Sequence, residues 1–394
     1  MNEATAKDTM ADPDPDARPQ VAIGFVVDAA ENSEIQRRLQ WLQEVIRQDL
    51  EKDFPEFSWN FRLILRRDFP GDRPLDPLVL LEFGSELKIE YRLDFLLVLT
   101  SMPLMARFDQ TVNGVPSNML ETGVVSMARP LENLEPERVD RAILALCRHI
   151  LGHLWGLDHD EDSVMRPREF WNGDEPLDWS PEEKRQIRHY LRDIADPRLE
   201  ETTQAASTAW RFYALLLRRE GLSLARDIVL FRSWRMMLHL GRFTAATAVS
   251  IIFLFLSAEA WELGAAIRSS WLDLILVAVL FMATLSIYFG QNLQEVGRAD
   301  RMMEQAARSR IVLFGTLLVG MASFWINLFL ISLGIIAILP EQVLAGWAGL
   351  GGQPLPMVHF SKLMATFGIL ASSLGGNLEE EHDLKAVLIY TEET

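Results

Sequence analysis

Residues 311–339 form a run of 29 amino acids without a charged side chain, and this run constrains the fold more than any other feature of the sequence. A helix in a soluble protein needs a polar face toward water, whereas a helix that crosses a bilayer needs about 20 apolar residues. Residues 244–258 form a shorter run without charge, and residues 271–290 form one whose single charge, Asp273, lies near its end. A weaker run, which contains Lys362, occupies residues 358–378. The sequence therefore predicts an all-α transmembrane domain of about four helices.

Basic residues flank these runs unevenly, and this asymmetry predicts the topology. Seven arginines lie in residues 211–242 and four in residues 291–310, whereas Arg268 is the only basic residue between the first two runs. Basic loops stay on the cytoplasmic side of a membrane. We therefore expect a multi-pass integral protein of the plasma (inner) membrane, in contact with lipid, with its N-terminal domain and C-terminus cytoplasmic. The alternative is that residues 358–378 are re-entrant or interfacial, which leaves three crossings and an external C-terminus.

The formal charge of −17 is concentrated in the first half of the chain. Residues 1–200 contain 24 Lys and Arg and 39 Asp and Glu, a net charge of −15, whereas residues 201–394 have a net charge of −2. An acidic surface repels a phosphate backbone, so nucleic acid is excluded as a partner. The lone Cys147 excludes an intrachain disulfide and a zinc site built from several cysteines.

The first half alternates strand and helix patterns in the order β-α-β-α-β-β-α, which predicts an α/β (α+β) sandwich with a mixed sheet. The loop before the last strand contains Gly114 and Pro116, and Ser180 with Glu183 predicts a capping box that starts a further helix. The predicted strands are 21–28, 58–65, 93–100 and 123–128, and the predicted helices are 35–54, 75–91 and 136–154.

Changes in composition divide the chain into five segments. The first is acidic and rich in proline and alanine, which is typical of disorder. The third carries arginines among leucine and aromatic residues, which is typical of amphipathic helices at a membrane surface. In order, the segments are a disordered acidic tail (1–20), a soluble domain (21–197), Arg-rich amphipathic linker helices (198–242), the transmembrane domain (243–378) and a cytoplasmic acidic tail (379–394).

The end of the helix at 136–154 contains a cluster of histidines. His149 and His153 are four residues apart, so they share a helix face and can reach one metal ion. Gly156 allows a sharp turn, after which His159 can return as a third ligand. Three neutral imidazoles suit one Zn²⁺ ion and leave a fourth position for water. The alternative is a histidine-rich helix end that holds no metal.

This pattern resembles the metzincin zinc peptidases, whose motif is HExxHxxGxxH followed by a methionine turn. The three histidines and the glycine just named match the motif position for position. Downstream, Ser163–Pro167 is similar to the methionine turn, which implies that Met165 is an apolar floor under the metal.

Two upstream segments narrow the resemblance. Leu97–Thr100 and Thr122–Arg129 look most like the archaemetzincin branch, whereas Gly156–His159 is also similar to the matrixins. The resemblance covers about residues 21–195 and implies a metzincin-like sandwich with an active-site helix. A peptide substrate is expected to pair with the backbone of one strand, which consists of Thr122, Gly123, Val124, Val125 and Ser126.

The sequence departs from the family at two places. Archaemetzincins carry cysteines after the third histidine that hold a second zinc, but Asp160, Glu161 and Asp162 stand here, so one zinc is expected. The larger departure is Ile150, where the family has the glutamate that takes a proton from the zinc-bound water. Loss of a general base removes about 10²–10⁴-fold in rate. The candidate substitutes for it are Asp158, Asp160, Glu161 and Glu121.

Three functions fit these observations. The first is a membrane-anchored, metzincin-like zinc domain with weak or no hydrolysis that binds peptides or protein partners. The second is an active metalloprotease on the cytoplasmic face that uses another carboxylate as its base. The third is a membrane assembly protein that holds no metal. The apolar runs lack the buried charges and broken helices of transporters, so they are expected to anchor the protein or to assemble it, including as a homo-oligomer.

Overall fold

The computed structural model describes most of the chain outside its first residues and the predicted linker. The described residues are 18–31, 33–70, 75–106, 112–167, 174, 176–194, 218, 221, 225, 228, 241–293, 303–349, 356–376, 385–386 and 388–390. Most of the predicted segments 1–20, 198–242 and 379–394 therefore lies outside the described residues.

A five-stranded mixed sheet forms the centre of the soluble domain, in the strand order β2-β1-β3-β5-β4. Strands β1, β2, β3 and β5 are parallel, and β4 is antiparallel to β5. The predicted mixed α/β sheet is thus confirmed. The strands are β1 (Gln20–Asp28), β2 (Ser58–Arg66), β3 (Phe95–Thr100), β4 (Gly114–Ser117) and β5 (Thr122–Ser126).

Strand β4 lies where the sequence predicts a loop, so that prediction is wrong. Glycine and proline, found here at positions 114 and 116, are rare inside strands. Glycine loses more conformational entropy on folding than other residues, and proline has no N–H to donate to the neighbouring strand. At the edge of a sheet, however, one side of the strand needs no backbone partner. Pro116 lies opposite Gly123 of β5 at this edge, where its missing N–H is tolerated.

The helices of the soluble domain cover both faces of this sheet. Alternate residues of β1, such as Ile23 and Phe25, pack with α1 and α4, whereas Ala22 and Val26 belong to the apolar cluster of α2. The predicted capping box of α5 is present, because Glu183 Oε2 accepts the Ser180 N–H at 2.6 Å. The helices are α1 (Ser33–Asp53), α2 (Pro77–Glu90), α3 (Ala128–Asn133), α4 (Pro136–Leu154) and α5 (Pro181–Ile194).

The second half is helical, and two of its helices are long and apolar enough to cross a membrane: α8 and residues 310–338 of α9. Helices α6 and α7 meet at an angle of 78° and fit a third span if they count as one, while α11 has a shorter apolar stretch. The sequence predicted about four spans. The helices are α6 (Gly241–Leu256), α7 (Ala258–Ala266), α8 (Ser269–Gly290), α9 (Met303–Ile338), α10 (Glu341–Trp347) and α11 (Met357–Gly376).

Helix α11, which the sequence marked as the weakest span, lies at the centre of this bundle. It packs against α6, α8 and α9, and Phe360, Leu363 and Met364 have no exposed surface. Lys362 does not extend alone toward water, because its Nζ pairs with Asp273 Oδ1 of α8 at 2.7 Å. Neighbouring helices therefore cover the apolar side chains of α11 and supply a partner for its charge.

Contacts at one end of the bundle define the directions of these helices. The Trp261 ring of α7 contacts Trp347 of α10 at 6.1 Å between centroids, and His359 Nε2 lies 2.9 Å from the carbonyl oxygen of Gly264. The end of α6, the start of α8, the end of α9 and the start of α11 consequently meet at this end. The four long helices alternate in direction along the chain.

The outer surface of the bundle is apolar. Phe253 and Leu256 of α6, Val277 of α8 and Ile338 of α9 are each at least 66% exposed. A soluble monomer rarely exposes a contiguous apolar surface of this kind. The second half is thus consistent with a membrane protein.

A buried ion pair ties α2 to the turn between β4 and β5. Lys88 Nζ lies 2.7 Å from Glu121 Oε2, and the two side chains are only 5% and 10% exposed. Glu121 also has a positive φ of 50°, an uncommon backbone conformation for a residue with a side chain. Removing one partner would leave the other charge buried without compensation.

We expect Lys88→Met to lower the free energy of unfolding by about 3–5 kcal/mol, because Glu121 loses its buried counter-ion. Arg47→Met serves as the control, since Arg47 pairs with Glu44 and Glu51 at the surface of α1; it should have little effect. Chemical unfolding of the full chain in detergent measures both. Equal effects of the two substitutions would contradict the structural role of the Lys88–Glu121 pair.

Candidate metal centre

The three predicted histidine ligands converge at the end of α4. His149 Nε2 and His153 Nε2 are 3.0 Å apart, and the ring centroid of His159 lies 5.4 Å and 4.9 Å from those of His149 and His153. One ring nitrogen from each residue lies within 4.8 Å of the other two, so the triad could bind a metal ion. His149 is buried, His153 is half-buried and His159 is exposed, so the cluster opens toward solvent on one side.

Gly156 makes the turn that returns His159 to the helix end. It has a φ of 78°, and a Cβ at this position would meet no atom within 4 Å, so backbone conformation alone requires the glycine. Its N–H donates to His153 O at 2.9 Å and the next N–H, of Leu157, donates to Gly152 O at 3.0 Å. These two bonds form a Schellman motif, which ends α4 at Leu154, five residues before the third histidine.

The other nitrogen of each helical histidine is held by a backbone carbonyl group. His149 Nδ1 lies 2.9 Å from Val164 O, and His153 Nδ1 lies 3.0 Å from Leu157 O. A carbonyl oxygen only accepts, so each Nδ1 carries the proton and each Nε2 presents a lone pair. Metal-binding histidines are typically oriented in this way.

These lone pairs allow a test of whether the residues fit a zinc ion. Two Nε2 atoms 3.0 Å apart with facing lone pairs repel each other unless a cation or a proton lies between them. Tetrahedral zinc with Zn–N bonds of about 2.0–2.1 Å separates its nitrogen ligands by about 3.3 Å, close to the observed distance. Three imidazoles with Nε2 directed inward therefore fit the zinc ion that the sequence implies.

Met165 packs against the helix that carries the ligands. It is fully buried, and a Cβ at Gly152, between the two helical histidines, would overlap its sulfur atom. The Met165 N–H donates to Ser163 Oγ at 3.0 Å, which holds the turn in place. The position is compatible with the apolar floor implied by the resemblance.

Two side chains that the sequence reasoning missed hold the segment that supports His149. Arg148 is buried, donates to Leu177 O at 2.5 Å and lies over the Trp179 ring at 5.0 Å. The next carbonyl group, Asp178 O, accepts the Val164 N–H at 3.2 Å. Arg148 thus holds the backbone at Leu177 and Asp178, which in turn holds Val164, whose carbonyl group orients His149. Its place beside the first histidine was a signal for such a role.

Glu183 holds the same segment from the other side. Its Oε1 accepts the Ser163 hydroxyl at 2.7 Å, while its Oε2 caps α5 through the Ser180 N–H. The capping box was predicted from the sequence, but its link to the metal centre was not. One buried carboxylate therefore connects the start of α5 to the turn that contains Val164 and Met165.

Ile150 points into the sheet and is completely buried. A Cβ at Gly114 of β4 would lie 2.6 Å from Ile150 Cδ1, and a Cβ at Gly123 of β5 would lie 2.5 Å from Ile150 Cγ2. Glycine at these two positions is what allows α4 to approach both strands closely. The residue beside the first ligand is thus part of an apolar contact between helix and sheet.

The four candidate carboxylates have other surroundings. Glu121 is paired with Lys88, Glu161 Oε2 lies 3.1 Å from Arg166 Nε, and Asp160 Oδ1 accepts the Asp162 N–H at 3.0 Å. Asp158 is exposed beside His159. Within the part of the chain that the structure describes, the histidine cluster with ligand atoms inside 4.8 Å contains no carboxylate.

The predicted substrate-binding strand is an interior strand. Residues 122–126 form β5, which pairs with β3 on one side and β4 on the other. Its backbone therefore has no free edge for a peptide, and the prediction that a substrate pairs with it is wrong. The edge on this side of the sheet belongs to β4.

Cys147 lies near the cluster but has a different chemistry. It is completely buried in α4, and burial raises the pKa of its thiol well above the usual range. A thiol, unlike a thiolate, is a poor metal ligand and a poor nucleophile. Cys147 is therefore an apolar core residue.

We expect Gly114→Ala to lower the free energy of unfolding by about 1–3 kcal/mol, because the new methyl group meets Ile150 in a packed core. In the background of Ile150→Ala the same change should cost little, since both close atoms are removed. Ile143→Ala, a buried position two turns earlier on α4, is the control background and leaves the clash in place. Chemical unfolding of Gly114 and Gly114→Ala proteins in the natural, Ile150→Ala and Ile143→Ala backgrounds measures the coupling. Additive effects at positions 114 and 150 would contradict this orientation of Ile150.

Comparison with known proteins gives structural likeness only. No protein-family model and no curated protein matches the chain. The archaemetzincin of Methanopyrus kandleri is 18% identical over 44% of this chain and 97% of its own, with a TM-score of 0.33. A zinc-dependent peptidase from Methanocorpusculum labreanum is 19% identical over 42% and 99%, with a TM-score of 0.31. The archaemetzincin of Archaeoglobus fulgidus, complexed with malonate, is 18% identical over 42% and 99%, with a TM-score of 0.30.

Proposed function

We propose that this chain is a membrane-anchored, metzincin-like zinc protein whose soluble domain binds peptides or protein partners and hydrolyses them weakly or not at all. One observation carries the proposal. The Nε2 atoms of His149 and His153 are turned toward each other by carbonyl partners on Nδ1, while Ile150 beside them is sealed in the core. The metal ligands are thus in place without the acid–base group.

His149, His153 and His159 would hold the zinc ion. Bound there, zinc supplies a Lewis acid that polarises a carbonyl group and lowers the pKa of water. The chain's own residues orient the ligands: Val164 O and Leu157 O hold the imidazoles, and Met165 packs beneath them. The exposed side of His159 leaves room for a peptide to approach.

The weak hydrolysis follows from what surrounds the site. Ile150 carries no proton acceptor, and its contacts with Gly114 and Gly123 keep water from that side of the helix. Loss of a general base removes about 10²–10⁴-fold in rate. Carboxylates on the loop after the third histidine, Asp158 and Asp160, are the remaining groups from which a base could be recruited.

The second half would embed the protein in lipid. Its exposed side chains include phenylalanine, leucine and valine, whereas Ser361 and Thr366 in the bundle donate to carbonyl oxygens of their own helix at 2.8 Å and 2.7 Å. The arginines of residues 211–242 favour a cytoplasmic soluble domain. Assembly of copies through these helices stays a prediction from the sequence.

We expect the full chain, purified in detergent, to hold one zinc ion, and His153→Ala to lose it. His189→Ala is the matched control, because His189 is an exposed histidine of α5 outside the cluster. Elemental analysis after dialysis against a weak chelator measures zinc per chain. Stoichiometric zinc in the His153→Ala protein would show that the ligand assignment is wrong.

A second experiment tests whether weak hydrolysis is due to the missing general base at position 150 or to a defective zinc site. The natural protein should cleave a mixed peptide library little or not at all, whereas Ile150→Glu should produce cleavage that a chelator stops. Ile150→Gln is the matched control, since glutamine is similar to glutamate in size and polarity but cannot act as a base. Both variants should unfold more easily, by about 2–4 kcal/mol, because a polar group replaces a buried apolar one.

Zinc content of each variant reports whether its site is intact. Robust, zinc-dependent cleavage by the natural protein would overturn the proposed weak hydrolysis and would favour an active protease with Asp158, Asp160 or Glu161 as base. Cleavage by both variants at position 150 would show that the carboxylate there is not the cause.

A further inference from the structure

The end of the chain lies against the soluble domain rather than against the helical bundle alone. The C-terminal segment is defined here as residues 385–390, of which the structure describes 385, 386 and 388–390. The hydroxyl group of Ser117, in β4, donates to the Ile389 carbonyl oxygen at 2.7 Å. Lys385 Nζ donates to Glu82 Oε1 of α2 at 3.3 Å. Two elements of the soluble domain therefore contact this segment.

These polar contacts surround a buried apolar contact. Ala386, Leu388 and Ile389 have no exposed surface, and Tyr390 is 5% exposed. They belong to an apolar cluster that contains Val115, Met119 and Leu120 of the β4 region together with residues of the helical bundle. Side chains buried to this extent are part of a core and not of a loose tail.

The sheet explains why the soluble domain needs this cover. Among the described residues, α1 and α4 pack on one face of the sheet and α2 packs on the other. Helix α2 lies over β3 and β5, because a Cβ at Gly84 would lie 2.7 Å from Thr122 Cγ2 and 2.8 Å from Val98 Cγ2. Side chains alternate along a strand, so Ser117 shares the α2 face with Val115, whereas Gly114 faces α4. The C-terminal segment thus lies over β4, beside α2.

We propose that the C-terminal segment is an intramolecular ligand of the soluble domain, docked beside α2 over strand β4, and that this contact keeps both ends of the chain on one side of the membrane. The inference rests on the membrane anchoring in the proposed function. A segment that binds the soluble domain cannot lie across the bilayer from it. The number of crossings between the two is therefore even.

The arrangement of helices in the bundle independently supports an even number of membrane crossings. Helices α6, α8, α9 and α11 alternate in direction, and the contacts Trp261–Trp347 and Lys362–Asp273 gather four of their ends together. Near the middle of the bundle, a Cβ at Gly368 of α11 would lie 3.2 Å from Leu328 of α9 and 3.5 Å from Ile251 of α6. Helix α8 and residues 310–338 of α9 are long enough for two crossings. We infer that α6 and α11, which pack along them, also cross, which makes four.

The contact also reaches the metal centre through one strand. Strand β4 carries Ser117 against the C-terminal segment on one face and Gly114 against Ile150 on the other. Undocking the segment would remove the cover from β4, which is an edge strand with a backbone ladder on one side only. Removal of residues 385–394 should therefore raise amide exchange in β4 at least tenfold.

Cross-linking in membranes tests the docking directly. In the full chain, Glu82→Cys with Lys385→Cys should be joined by a short bifunctional maleimide. The control pair is Glu51→Cys with Lys385→Cys, because Glu51 is on α1, on the opposite face of the sheet. The natural Cys147 is buried and should not react. Absence of the first cross-link, or equal cross-linking in the control, would overturn the proposed docking.

Labelling of sealed vesicles with a membrane-impermeant maleimide tests the topology. Glu182→Cys on α5 and an epitope fused after Thr394 should be accessible from one side, and Arg268→Cys and Gln342→Cys from the other. Accessibility of the epitope from the side opposite to position 182 would overturn the inference. If alkaline washing instead releases the protein from membranes, the anchoring itself fails, and that failure is distinct from a failure of docking.

Discussion

The hydrogen bonds from His149 and His153 to the carbonyl groups of Val164 and Leu157 are the interactions on which the candidate site depends. They place the ring proton on Nδ1 and orient both Nε2 atoms toward one point, so the Nε2 lone pairs are positioned to bind a metal ion. The partner carbonyl groups must be fixed for this to work. Leu157 is fixed by the Schellman turn at the helix end. Val164 lies in a loop, so its position needs Arg148 on one side and Ser163 with Glu183 on the other.

The hydrogen bonds of the histidines prepare a metal site, but the close approach of α4 to β4 and β5 provides no acid–base group beside it. Glycine at positions 114 and 123 lets Ile150 fill the space between helix and sheet, and this packing stabilises the same helix that presents the ligands. A carboxylate at position 150 would have to enter an apolar contact, with a cost in stability. The chain therefore combines a histidine triad that could bind a metal ion with a buried isoleucine, which has no proton acceptor, beside the first histidine. This arrangement is the basis on which we propose binding with little or no hydrolysis.

The sequence predicted the parts of this structure that depend on local patterns. Apolar periodicity predicted the strands and helices, and histidine spacing predicted a triad that the structure brings together. The parts it missed depend on distant neighbours. Strand β4 resembles a loop because Pro116 is tolerated only at a sheet edge, and Glu121 resembled a free base because its partner Lys88 is 33 residues away. Helix α11 resembled a weak span because of its polar side chains, but Ser361 and Thr366 donate to carbonyl groups of their own helix and Lys362 pairs with Asp273 of α8.

Charge explains why specific contacts are needed between the two halves. Residues 1–200 have a net charge of −15, and the cytoplasmic surface of a membrane is also negative, so in the topology that we propose the bilayer repels the soluble domain. The seven arginines in the sequence of residues 211–242 carry the opposite charge, and their attraction to anionic lipid would be weakened by salt. The contact of Lys385 and its apolar neighbours with the soluble domain does not depend on lipid charge. Because Ala386, Leu388 and Ile389 are completely buried, packing rather than charge holds the C-terminal segment to the soluble domain in the docking that we propose.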